Sequence, residues 1–287
     1  MAIASLFDST ACRLGEGALW QPDRGELFWV DILDGLIFAR GEGALRRWRC
    51  RGAVSAMGIV DARTLLVAHE RSLLTLDLDD GTQTALVALE SDDPRTRSND
   101  GRADPWGGFW VGTMGRAAEP GLGAIYRLYR GRLHRLLPDI TIPNAIAFSP
   151  DRQWMSFADS ARGTIWRQPL DAEGWPRGEP AVFAVWPEGS GVPDGAVFDA
   201  EGCLWVAVWG GSAVLRLSPE GEEIDRITLP ASQVTCPAFG GPDLTTLFAT
   251  TAADGLSGQA LERELGAGCV FTFPTAVSGL PEPRVTL

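Results

Sequence analysis

The sequence contains only two histidines, His69 and His134, which excludes a metal centre built on several imidazoles. No serine occupies a G-x-S-x-G setting; Gly255-Leu256-Ser257-Gly258 comes nearest and reads as a loop, so a Ser-His-Asp hydrolase is not indicated. Five cysteines, Cys12, Cys50, Cys203, Cys236 and Cys269, are odd in number and scattered, with no C-x-x-C pair. Zinc-cluster and dithiol readings therefore fail, and the expectation is small core residues in a reducing compartment. Positive charge is also short: the formal net charge is -12, whereas nucleic-acid binding rests on clustered Lys and Arg. The one basic cluster, Arg46-Arg47-Trp48-Arg49 with Arg51, reads as a solvated outer strand. There is no apolar run of about 20 residues, and no basic segment followed by an apolar stretch at the N-terminus. No membrane contact is expected, and the expected location is cytoplasmic.

Other motifs fail on inspection. Gly121-x-Gly123 lacks the third glycine and the βαβ unit of a dinucleotide site. Asp77-Leu78-Asp79-Asp80-Gly81 opens like a calcium loop but places Ala88 where the bidentate Glu belongs, and reads as a hairpin turn. No Pro/Gly/Ser linker or charge block divides the chain; its 34 Gly and 19 Pro are spread along turns. One domain over residues 1–287 is expected, as a monomer or weak oligomer.

What is present is a repeat. Short apolar runs recur around Trp29, Leu66, Trp110, Phe157, Trp205 and Phe248, at intervals of roughly 37 to 48 residues, near the period of propeller blades. Each run follows a polar turn such as Gln21-Pro22-Asp23-Arg24-Gly25 or Ser149-Pro150-Asp151-Arg152, and each is flanked by a further apolar stretch on either side. A fourth, more polar segment follows. Short β-branched or aromatic runs bounded by Gly, Pro and Asp read as strands. Six four-stranded antiparallel sheets make a six-bladed β-propeller, all-β, whose radial packing protects strand edges. An open two-sheet sandwich explains the period less well. Closure is expected to pair the segment near Ser5–Asp8 with the last blade.

Counting back four residues from the apolar residue before each turn reaches Glu16, Ala56, Asn99, Asn144, Asp194 and Thr235. First strands of propeller blades line the central channel, so these positions converge on the axis, and five of the six carry a side-chain oxygen. Polar residues also line any wet channel, and Asn or Asp near a strand end also makes turns. Small neighbours at Gly15-Glu16-Gly17, Pro143-Asn144-Ala145 and Pro193-Asp194-Gly195 would let a ligand approach closely. Oxygen donors without sulfur or imidazole suit one hard or borderline divalent cation: Ca, Mg or Mn directly, with Zn and Fe(II) admissible.

At these residues the chain resembles the gluconolactonase, regucalcin (senescence marker protein) and luciferin-regenerating-enzyme family of six-bladed propellers. The matching segments include Leu14-Gly-Glu-Gly-Ala-Leu-Trp20, Arg97-Ser-Asn-Asp-Gly101, Phe109-Trp-Val-Gly-Thr-Met114, Ile142-Pro-Asn144, Pro193-Asp194-Gly195 and Phe239-Gly-Gly-Pro-Asp243. They follow one another in the family's order over most of the chain. The resemblance implies that Glu16, Asn144 and Asp194 ligate a divalent metal and that Arg97 and Asn99 contact substrate. It implies hydrolysis of a sugar lactone to the sugar acid, by metal-activated water attacking a metal-polarised carbonyl, with Asp194 as candidate general base.

Hydrolysis of another ester on the same site, or a non-catalytic calcium-binding regulatory propeller, are the alternative readings. One departure concerns substrate: relatives carry an acidic residue just after Gly-Thr-Met, whereas Gly115-Arg116-Ala117-Ala118 follows here and Glu119 stands further along. Of the 11 tryptophans, Trp29, Trp110 and Trp205 read as blade core, and Trp209 as the one placed to meet substrate. His69 could face the pocket mouth or sit in a turn.

Overall fold

The structure is a computed structural model that describes residues 4–287. Its strands form six four-stranded antiparallel sheets, a six-bladed β-propeller with one short α-helix, Gln259–Arg263, and one 3-10 turn, Ser160–Arg162. The inner strands are Gly15–Gln21, Val54–Ile59, Thr96–Ala103, Pro143–Phe148, Val192–Phe198 and Val234–Gly240, in blades one to six. Second strands are largely buried and mostly apolar, as in Phe109–Gly115, because neighbouring blades cover both faces. Trp29, Trp110 and Trp205 are buried in them as expected. Outermost strands are mostly solvated; Arg46–Arg49 alternates between half-buried and exposed positions. Ser5–Asp8 completes blade six beside Val270–Pro274, so the sixth sheet joins both ends of the fold. All five cysteines are buried and free, and Asp77–Gly81 is a hairpin turn in which Asp79 and Asp80 N–H groups donate to Asp77. Among the described residues no helix is long and apolar enough to cross a membrane.

Blades three and five are pinned by the same buried motif. Asp104 accepts from the indole Nε1 of Trp110 at 2.9 Å and from Arg127 Nε at 2.7 Å. Asp199 does the same with Trp205 at 2.9 Å and Arg216 at 2.8 Å. Each carboxylate also accepts two backbone N–H groups of its turn, so its charge is compensated where water cannot reach.

Two features position the axial residues. Every inner strand carries one extra residue relative to its neighbour: between Glu16 and Leu19, Val54 and Ala56, Ser98 and Gly101, Asn144 and Ala147, Pro193 and Ala196, and Val234 and Pro237. Such bulges bend a strand and re-aim its side chains. Gly17 (φ 58°) and Ala145 (φ 52°) take the left-handed conformation directly after Glu16 and Asn144; a Cβ on Gly17 would stand 2.9 Å from Ser55 O. Secondly, the C-terminal segment straps the opposite face. Gly279 N–H donates to Leu244 O, Val285 N–H to Ile59 O and Thr286 N–H to Gly107 O, while Arg284 pairs with Asp23 at 2.6 Å and Glu282 with Arg102. A cavity of about 480 Å³ lies under this strap, lined by residues such as Arg102, Phe148 and Pro281; none of the axial carboxylates borders it.

Candidate active site

Asn99, Asn144, Glu16, Asp194 and Arg97 converge where the inner strands begin, at the face away from the strap. Side-chain hydrogen bonds link blades three, four and five in one direction. Arg97 Nη1 donates to Asn99 Oδ1 at 2.8 Å, Asn99 Nδ2 donates to Asn144 Oδ1 at 2.9 Å and to Pro143 O at 3.0 Å, and Asn144 Nδ2 donates to Ser160 Oγ at 2.8 Å. Ser160 Oγ then donates to Pro193 O at 2.6 Å, next to Asp194. The sequence of donors fixes the amide orientations, leaving a lone pair of Asn144 Oδ1 free for a further partner. Ser160 was not singled out from sequence, because it lies on a turn after the second strand. Its neighbour Asp159 accepts from Thr141 and Ile142 N–H, and Asp31 accepts from Arg13 and Leu14 N–H, holding the segments that lead into Asn144 and Glu16.

Glu16 and Asp194 are near enough for each to alter the other's titration. Burial, then the charge of Asp100, push Glu16 up to about 8, against the opposing pull of the Gly17 N–H and of Arg97. Burial, then Glu16 and Asp100, push Asp194 well above the usual carboxylate range. Burial also lowers Arg97 to about 10, although Glu16, Asp194 and Asp254 favour its charge. Asp100, not assigned from sequence, is a third acid here: burial raises it, while the N–H groups of Ile146 and Gly101, each at 2.8 Å, and the charge of Arg102 oppose that. Glu16, Asp100 and Asp194 thus act on one another's titration, with the half-buried Arg97 nearby, and a divalent ion would relieve the excess negative charge. Among the described residues no group of three His, Cys, Asp or Glu side chains is arranged as metal ligands; the set that fits a hard cation is two carboxylates and an oriented amide oxygen.

The remaining expected residues take defined places. Thr235 is at the register of the ring, but its hydroxyl donates to Gly15 O at 2.6 Å, so it ties blade six to blade one. Ala56 leaves blade two without an oxygen at its position, and Ser55 instead donates to Asn99 O at 2.6 Å. Trp209 ends its strand opposite Val192 and bridges to Gln233, at the same end of the channel as Asp194. Both ring nitrogens of His69 are engaged by backbone: Nδ1 accepts from Arg71 N–H, and Nε2 lies 2.7 Å from Arg51 O. It is the last residue of the strand Thr64–His69. Glu119 folds back on its own turn and accepts from Ala117 N–H at 3.1 Å.

The sequence profile of the SMP-30/gluconolactonase/LRE-like region matches residues 14–253. The chain is 38% identical to L-arabinolactonase of Azospirillum brasilense, covering 98% of this chain and 95% of that one. It is 35% identical to 6-deoxy-6-sulfogluconolactonase of Pseudomonas putida, covering 94% of each. The crystal structure of regucalcin from Agrobacterium tumefaciens, described as a calcium-binding protein, superposes with a TM-score of 0.97 at 37% identity, covering 100% of this chain and 98% of that one.

Proposed function

Because the chain belongs to the SMP-30/gluconolactonase/LRE-like family, we propose that it is a lactonase that opens a sugar lactone to the corresponding aldonic acid. The observation that carries this reading is the pair of Asp194, which is buried, and Glu16, which is half-buried, together with Asn144 and Arg97. Relatives named L-arabinolactonase and 6-deoxy-6-sulfogluconolactonase support the substrate class. Glu16, Asn144 and Asp194 are the residues that would hold a divalent cation, whose chemistry there would be to polarise the ester carbonyl. Calcium is the first candidate, since the regucalcin relative is described as calcium-binding.

The chain's own groups account for the proton and charge movements. Asp194, whose hold on a proton is strengthened by burial and its acidic neighbours, takes in its ionised form a proton from water as the water oxygen bonds to the carbonyl carbon. Arg97 presents its guanidinium to the negative oxygen that develops, or to ring hydroxyls of the bound sugar. As the ring C–O bond breaks, Asp194 returns the proton to the leaving ring oxygen, giving a hydroxyl and a carboxylic acid that releases its proton to solvent. Asn99 holds both Arg97 and Asn144 in register for these steps. Trp209, at the rim, offers an apolar face to the sugar ring.

The test is turnover of a panel of pentono- and hexonolactones by chelated enzyme and by enzyme reloaded with Ca, Mn, Mg, Zn or Fe(II). Restored hydrolysis of a sugar lactone supports the reading; a metal-loaded protein that opens none of them overturns it.

A further inference from the structure

Gln233 stands two residues before Thr235, the place Arg97 holds relative to Asn99. In the other inner strands that place belongs to Leu14, Val54, Ile142 and Val192. Polar side chains at this height therefore come from two blades alone, three and six, which oppose each other across the six-membered ring. Gln233 Nε2 donates to the carbonyl oxygen of Asp254 at 2.8 Å.

The bond to Asp254 O decides which way the amide points, since a carbonyl can accept only from the NH₂ end. Gln233 Oε1 is then buried with no donor opposite it. Four other buried side-chain atoms among the described residues lack a partner: Trp29 Nε1, Arg127 Nη1 and Thr272 Oγ1 within second or third strands, and Glu90 Oε2 in a loop. Gln233 alone of these stands at the entrance of an inner strand. A buried acceptor without a donor costs about 1–3 kcal/mol. Its backbone bridges to Trp209, which pairs with Val192 at the start of the strand that carries Asp194.

We infer that Gln233 determines specificity: its Oε1 accepts a hydrogen bond from one ring hydroxyl of the lactone, on the side of the ring opposite Arg97. The inference rests on the lactonase reading above. An amide oxygen needs an O–H donor, so a lactone lacking that hydroxyl, or carrying it as a methyl ether, leaves the acceptor unpaired and is discriminated against.

The experiment compares kcat/KM of wild type and Q233L on one hydrolysed aldonolactone and on each of its monodeoxy analogues. In the wild type, one deoxy position is expected to carry a penalty of roughly 10–100-fold. In Q233L that penalty disappears, while those at other positions stay. Q233M, of similar length and also without an acceptor, serves if Q233L does not fold. Wild-type turnover with no position-specific loss of penalty in the variant overturns the role of Gln233 alone. A wild type that opens no lactone overturns the lactonase reading, and this inference with it.

Discussion

Asn99 Nδ2 donates to Asn144 Oδ1 across the boundary between blades three and four, at 2.9 Å, and so decides which end of the Asn144 amide faces the axis. Ser160 accepts from the other end. Residues that orient a ligand in this way typically affect metal affinity or activity by about 10–100-fold when removed. N99A and S160A are each expected to lose that much in kcat/KM or in cation affinity, with the fold intact by circular dichroism. Unchanged kinetics and titration in both variants would remove this chain of hydrogen bonds from the mechanism.

Asp194 carries two proposed duties, and replacing it separates fold from function. D194N keeps the shape of the side chain but has no basic oxygen to take a proton. Lactone hydrolysis is expected to vanish. A ligand that binds only the native state stabilises by about 2.7 kcal/mol at a hundredfold excess over its Kd. Calcium or manganese is therefore expected to raise the melting temperature of the wild type, and that rise to shrink or disappear in D194N. Retained hydrolysis in D194N would sink the assignment.

The ring position of Asp194 was readable in the sequence because the blades repeat: a fixed count from an apolar landmark reaches Glu16, Asn99, Asn144 and Asp194 in turn. The same count reached Thr235, whose hydroxyl the structure turns toward Gly15 O. Register gives position along a strand but not the partner a side chain finds on the next blade. Ser160, Asp100 and Gln233 escaped notice for that reason. Ser160 follows the strand of Asp159, Asp100 lies within the bulged stretch between Ser98 and Gly101, and Gln233 immediately precedes its strand. The role of each depends on contacts between blades, which no periodicity encodes.

Asp104 and Arg127 are both fully buried, 2.7 Å apart. D104L would strip the arginine of its counter-charge and Trp110 of its acceptor, so it is expected to cost about 3–5 kcal/mol. The double variant D104L/R127L should recover much of that loss, since no uncompensated charge remains. Urea unfolding of the two singles and the double measures the coupling; additive losses would contradict it.

Asp8, on the strand that completes blade six, pairs with Arg40 of blade one. Burial works to raise its pKa, but hydrogen bonds from Thr10 and Arg40 outweigh this and hold it below the ordinary 3.8. An acid depressed in the folded state contributes stability that is fully present above its unfolded pKa and is lost as pH falls through the lower folded value. Wild type is therefore expected to lose stability as pH falls below about 3.8, and D8N to show a shallower fall over that window. An equally steep fall in melting temperature with pH in the two proteins would refute this contribution of the Asp8–Arg40 pair.

The pairing of Ser5–Asp8 with Val270–Pro274 also sets an order of events during synthesis. At about 5–20 residues per second, tens of seconds separate the emergence of these two segments from the ribosome. Throughout that interval the earliest strand has no hydrogen-bonding partner, and blade one has no neighbour on one side. The newborn chain is thus an open arc with an exposed sheet edge at each end, the form in which it is most vulnerable to pairing with another copy of itself.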